Sequence, residues 1–494
     1  MRAALLTLLL LPCMLLLSAQ DLTEGLLVND LQLHPMQPIA KPSYLGTITD
    51  PSFGTTIRRI SDAGAGNKIV PMYSTIQAWN SDESMMILYD VDNSVHILLD
   101  GMDYAFIRNL TDISPADLEE IFWDFDDPNL FYYPESGTDD FIKYEVDSQT
   151  KTVLIDMDGV SNCTQGVSMG NDIQMMSWDS DVFCFRCGND DAYTYRISTG
   201  VLTTFAIGDL SYAAPMPGPS GTSFYHDTNA YDDNGDLSHT LNEASVEHAC
   251  EGKLSNGNDA HFAVAFADGP DGGCGGNLVA HDLTNGNCFS IISEGQGYDY
   301  SQSGTHISAL AHQNATEGWM CVSMIGFDQD GQELLDQELV IALADENNIQ
   351  VCRIGHHRSD EDDYDYWGEP HAVISPTGTR VLFGSDWSGA DDGHSVESYV
   401  VELPAFATAT SHIITEIDEI NIYPNPFTDQ VVVSGDFSNY EITVLDVLGN
   451  VVDDYTGVDS PLSIDLNSLS SGLYFISIQN TIDTQLSVHK IIKE

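Results

Sequence analysis

The stretch His371-Ala372-Val373-Ile374-Ser375-Pro376-Thr377-Gly378-Thr379-Arg380-Val381-Leu382-Phe383 reads as one unit: an apolar strand, a tight Pro–Gly turn and a second apolar strand. The unit recurs upstream with other turns. Gln77–Asp82 leads through an acidic turn into Ser84–Tyr89, Phe122–Asp127 into Asn129–Tyr133, and Ser177–Asp181 into Val182–Phe185. His261–Phe266 and Trp319–Ser323 continue the series. No long helical periodicity interrupts it between Leu22 and about Pro404.

A several-stranded unit repeated every roughly forty to sixty-five residues is the pattern of a β-propeller. One four-stranded sheet cannot bury both of its faces, so blades stack around an axis and cover each other. Inner hairpins are expected near Trp79, Trp123, Trp178, Pro217, Cys250, Ile307 and Ile374, which makes seven blades, with six or eight as alternatives. A pair of β-sandwiches is the competing architecture. The expected fold is all-β: a seven-bladed β-propeller over 45–405, preceded by a lead-in over 20–44 and followed by a linker over 406–418 and a small Ig-like β-sandwich over 419–494.

The sandwich is read from short alternating strands bounded by Pro, Asn, Asp or Gly: Ile422-Tyr423-Pro424-Asn425-Pro426-Phe427, Glu441–Gly449, Gly472–Ile478, then the basic end Lys490–Lys493. In that order these segments resemble the C-terminal sorting domain of Bacteroidetes proteins exported by the type IX secretion system. The resemblance implies export to the outer cell surface or the medium, with the type IX machinery as partner. At the other end, Met1-Arg2, an apolar run from Ala3 to Leu17 and Ser18-Ala19 describe a signal peptide over 1–19. No later run reaches the ~18 apolar residues of a membrane span, so a soluble mature chain without a membrane span is expected.

The formal charge is −60, from 16 basic and 76 acidic residues. Phosphate contacts require Lys and Arg, which excludes nucleic acid as a partner. A polyanionic substrate is repelled at long range unless salt or a bound cation screens the field. Nine cysteines, eight after removal of Cys13 with the signal, favour disulfides in an exported chain. Cys184-x-x-Cys187 lacks the second pair a zinc site needs. Asp232–Glu243 has calcium-loop spacing but Leu237 where the loop requires Gly, so a β-turn is the simpler reading.

Ser375–Asp386 resembles the repeat of TolB-like propellers. His356-His357-Arg358-Ser359, Tyr366-Trp367-Gly368-Glu369-Pro370-His371 and Gly304-Thr305-His306-Ile307-Ser308 resemble segments of oligogalacturonate-lyase-type propellers. What that resemblance implies is β-elimination on a uronate polymer, with a base, usually His, and a metal or Arg at the carboxylate. The developing charge must be met where it forms. His371 matches the last His of the family's metal site. Glu369 stands where another His is expected, and Tyr366 where a Gln is expected. Glu is a ligand for hard cations, so Glu369 and His371 are the metal candidates, with Ca²⁺ or Mn²⁺ as the cofactor.

His306 and His371 stand at the start of inner strands, and His248 just before Ala249-Cys250, so circular symmetry is expected to gather them on one rim. His306, His371, His248 and Arg358 are the catalytic candidates. His357, Tyr366, Trp367 and Trp387 are candidates for binding the substrate, the aromatic rings by stacking on sugar faces. For each His taken singly, the competing reading is a satisfied blade-to-blade hydrogen bond. The functional expectation is an exported propeller acting on extracellular polysaccharide as a uronate lyase. A non-catalytic glycan-binding or adhesion propeller at the cell surface is the alternative.

Overall fold

In the computed structural model the described residues are 21–494, apart from 171–174, 190, 206, 208–209, 211–212, 242–247, 266–273, 299–303, 327–328, 360–364, 389–394, 407–420, 436–439, 446–450, 457–459, 468, 481–485 and 494. The signal peptide, most of the expected linker, Glu247 and part of the acidic loop before Tyr366 lie outside them. The chain divides into two compact units, Met1–Pro404 and Ala405–Glu494.

The first unit is a β-propeller of seven antiparallel sheets. Their innermost strands are Ile69–Val70, Phe122–Trp123, Val167–Ser168, Met216–Pro217, Cys250–Lys253, Gly304–Ser308 and Val373–Ile374. Blades one to six run outward in chain order. The seventh is closed by the N-terminus: Val373–Ile374, Arg380–Ser385 and Glu397–Glu402 are followed by Thr56–Arg59 and then Thr47–Thr49. Joining the two ends of the propeller segment in one sheet ties the ring shut, because no blade then has to separate at a free seam.

The hairpin that opened the sequence reading forms as expected. Ile374 pairs with Val381, and the Gly378 N–H donates to the Ser375 carbonyl at 2.8 Å. Gly378 has φ +80°, a conformation glycine adopts without steric cost. An indole joins blades two and one: Trp123 Nε1–H donates to the Ala78 carbonyl at 3.1 Å. Two disulfides form, Cys163–Cys187 and Cys274–Cys288. Cys184, Cys250, Cys321 and Cys352 are buried free thiols, so four of the eight cysteines depart from the expected pairing, and the CxxC motif is half disulfide and half core. The Asp232 carboxylate accepts from the backbone of Asn234 and Asp236, which makes that segment a hairpin turn.

The second unit is built of two sheets, Asn421–Tyr423, Gln430–Ser434 and Leu462–Asp465 in one, and Val451–Thr456, Tyr440–Leu445, Gly472–Asn480 and Leu486–Lys493 in the other. Val431, Val433 and Ile464 from the first meet Ile442, Val444, Ile476, Ile478 and Ile491 from the second in one apolar core. Among the described residues no helix is long and apolar enough to cross a membrane.

Candidate metal centre

Three blades bring three imidazoles together. His248 precedes the inner strand of blade five by two residues, His306 lies in that of blade six, and His371 precedes that of blade seven by two. His248 and His371 both adopt left-handed φ, +57° and +41°. Non-glycine residues hold that conformation at a cost, and such positions cluster at functional sites. The rings of His306 and His371 stand 4.3 Å apart, centroid to centroid, and those of His248 and His306 5.1 Å apart.

Glu369 completes the cluster. Its Oε2 lies 3.3 Å from His306 Nε2 and 3.4 Å from His371 Nε2. Candidate ligand atoms of all three residues fall within 4.8 Å of one another. His306 and His371 are 1% and 2% exposed, while the Glu369 side chain keeps 22% of its surface in solvent and forms the open side. Burial, reinforced by His371 and His248, holds the His306 imidazole well below its usual titration range. It is therefore neutral, the form that ligates.

These residues fit a divalent cation. Among the described residues the buried His371 Nε2, which faces Glu369, has no hydrogen-bond partner, an unfavourable state for a ring nitrogen unless something else engages it. Two imidazole nitrogens and one carboxylate oxygen form a donor set suited to borderline and transition metals, with coordination positions left open.

Aromatic residues wall the cluster. The Tyr73 ring lies 5.3 Å from His306 and 5.2 Å from His371, and the Tyr366 ring 4.6 Å from His371, backed by Trp367 at 5.1 Å. The Tyr366 hydroxyl donates to Glu119. Tyr73 and Glu119 carried no sequence signal, one being a lone Tyr in the segment Pro71-Met72-Tyr73 and the other one acid among many.

The other candidates have contacts that lead elsewhere. Arg358 donates to the Gln37 carbonyl at 2.8 Å, pairs with Asp50 at 3.5 Å and lies over the Trp387 ring at 5.5 Å. Burial pushes the Asp50 carboxyl up, but His356 and backbone donors outweigh it and hold it at about 2. The guanidinium is thus committed to a buried carboxylate and the lead-in segment. His357 donates from Nε2 to the Met324 carbonyl at 2.9 Å and accepts the Ser359 N–H on Nδ1, a fully satisfied core histidine. Trp387 is buried, donates to the Ile39 carbonyl and stacks on Tyr399 at 4.8 Å, so its faces are packed.

Residues 421–494 match the family model described as "Secretion system C-terminal sorting domain". This segment is a type IX sorting domain. The sorting domain implies secretion to the cell surface or outside the cell. No curated protein matches the chain in sequence. Among solved structures, the chain is similar to an oligogalacturonate lyase from Vibrio parahaemolyticus, with a TM-score of 0.50, 14% identity and coverage of 72% of this chain and 96% of that one. That likeness shows the propeller fold. Also similar are an oligogalacturonate lyase in complex with manganese (TM-score 0.47, 14% identity, 76% and 99% covered) and PorZ of Porphyromonas gingivalis, an essential bacterial surface component of its type IX secretion system (TM-score 0.34, 11% identity, 93% and 61% covered).

Proposed function

We propose that the propeller is a cation-dependent lyase acting on a uronate-containing extracellular polysaccharide. The observation that carries this reading is the convergence of His306 and His371 on one oxygen of Glu369, with His248 beside them and not part of that set. His306, Glu369 and His371 would hold a divalent cation, and of Ca²⁺ and Mn²⁺ the second suits two imidazoles and one carboxylate. Once bound, the cation neutralises a carboxylate and stabilises the charge that develops next to it.

His248 is the base in this reading. It takes the C5 proton of the uronate, the electron pair forms the C4=C5 bond, and the C4–O bond breaks with the leaving oxygen protonated from solvent. Tyr366 and Trp367 border the approach to His371 and offer ring faces to a sugar. With Arg358 paired to Asp50, the cation takes over the role expected of a guanidinium. This also answers the objection raised by a chain of charge −60, since a cation lowers the repulsion a polyanion meets.

The test is ultraviolet absorbance of the unsaturated product from polygalacturonate, alginate and ulvan, with Mn²⁺, Ca²⁺ or a chelator. A rise that requires the cation and is lost in His248→Ala supports the reading. Retention of the polymer without any rise supports the second reading, a glycan-binding propeller, which the tied-up Arg358 favours.

A further inference from the structure

Among the described residues His371 Nε2 has no hydrogen-bond partner, and three rings pack around the imidazole: Tyr73, His306 and Tyr366. A metal-binding imidazole that is free to swing loses its approach, which is why outer partners of ligands matter nearly as much as the ligands. Tyr366 is the nearer of the two tyrosines. It sits in the short turn Asp365–Gly368, just before Glu369, and its hydroxyl donates across to Glu119. Glu119 comes from another part of the ring, the connector between the outer strand Phe106–Asn109 of blade one and the inner strand Phe122–Trp123 of blade two.

We infer that Glu119 is a positioning residue of the cation site: by accepting the Tyr366 hydroxyl it holds that ring against His371 and fixes the imidazole in its ligating orientation. The inference rests on the reading of His306, Glu369 and His371 as a cation site. The phenol suits this role. A phenol hydroxyl donates where a carboxylate accepts, so the contact fixes the ring that carries it. Because the contact bridges chain segments far apart in sequence, it also couples the turn that carries Glu369 to a second blade.

The experiment is calorimetric titration of the full chain with Mn²⁺, for the wild type, Tyr366→Phe, Glu119→Ala and Glu119→Gln, alongside cation-free melting curves. Tyr366→Phe and Glu119→Ala should each weaken Mn²⁺ binding roughly ten- to hundredfold. Glu119→Gln, whose amide oxygen still accepts the hydroxyl, should bind within a few-fold of wild type. Wild-type affinity in Tyr366→Phe overturns the inference and leaves the cation site standing. Equal loss in Glu119→Gln and Glu119→Ala, tracking lower cation-free melting temperatures, also overturns it, as a general folding defect. A wild type that binds no Mn²⁺ sinks the cation reading itself, and the positioning role with it.

Discussion

His306 and His371 meet edge to face, with centroids 4.3 Å apart and ring planes at 90°. His306 lies in the inner strand of blade six and His371 two residues before that of blade seven, so their meeting is a product of the ring and not of local sequence. The lowered titration of His306 follows from its burial and from that neighbour.

Replacing either ring should therefore remove cation binding. His306→Ala and His371→Ala are each expected to show no Mn²⁺ heat at concentrations that saturate the wild type, because the remaining pair offers one nitrogen and one oxygen. Calorimetry checks this. Unchanged binding in either variant would place the cation elsewhere.

Glu120 gives a pH signature. It is 6% exposed, and burial, with Asp117 and Glu119 beside it, raises its carboxyl to about 8 from 4.5. Between those values the unfolded chain is ionised where the folded one holds a proton, so stability falls as pH rises, by about 1.4 kcal/mol per unit. His96 acts in the opposite sense at lower pH: burial lowers it from 6.5 to about 4, so stability rises with pH across that interval. Above pH 6.5 the Glu120 contribution is the one of the two that persists. Urea midpoints should decline from pH 6.5 to 8 in the wild type and less steeply in Glu120→Gln, where the buried Glu338, also raised to about 8, still contributes a slope of the same sign. Equal slopes would refute the assignment.

Much of this architecture is legible in the sequence. Trp123, Pro217, Cys250, Ile307 and Ile374 each lie in an innermost strand, because apolar runs around a polar turn encode a hairpin wherever it sits. Trp79 instead bridges to Met86, and Trp178 falls two residues past the bridge of Met176 to Phe183. The closure of blade seven by Thr56–Arg59 left no trace in the pattern, since alternation fixes a strand's face and not its sheet. The imidazole cluster was legible because residues at or just before the starts of inner strands become neighbours under circular symmetry. Glu119 was not, being one carboxylate in a chain that has 76. Arg358 is the harder case, because rarity of positive charge suggests function equally well when the charge pairs with a buried Asp.

That last point is testable. Arg358→Ala should destabilise the propeller, leaving Asp50 buried beside His356 without its guanidinium and freeing the Gln37 carbonyl. Removing one partner of a buried pair costs about 3–5 kcal/mol. Mn²⁺ affinity should stay at the wild-type value. A selective loss of cation or glycan binding with unchanged stability would return Arg358 to the site.

A second buried pair secures the ring's closure. Arg380 of blade seven is fully buried, with Nη2 at 2.5 Å from Glu83 Oε2 of blade one, and its Nη1 donates to the Tyr104 hydroxyl. Arg380→Ala and Glu83→Ala should each cost about 3–5 kcal/mol, and the double variant much less than the sum, because neither then strands the other's charge. Strict additivity in denaturant titrations would show that the two residues act separately.

The charge of −60 makes a prediction that runs against ordinary electrostatics. Attractive protein–polymer association weakens with salt, but here the bulk field opposes a uronate polymer while the cation attracts it only locally. Raising ionic strength from about 10 mM to 150 mM shortens the screening length from roughly 30 Å to 8 Å. That removes repulsion from distant carboxylates and leaves ligands in contact with the cation little affected. Capture of polygalacturonate at saturating Mn²⁺ should therefore speed up with added NaCl, chiefly in the association rate. If association slows instead, the polymer is being drawn by a positive surface, and the reading of the cation as its main point of attraction fails.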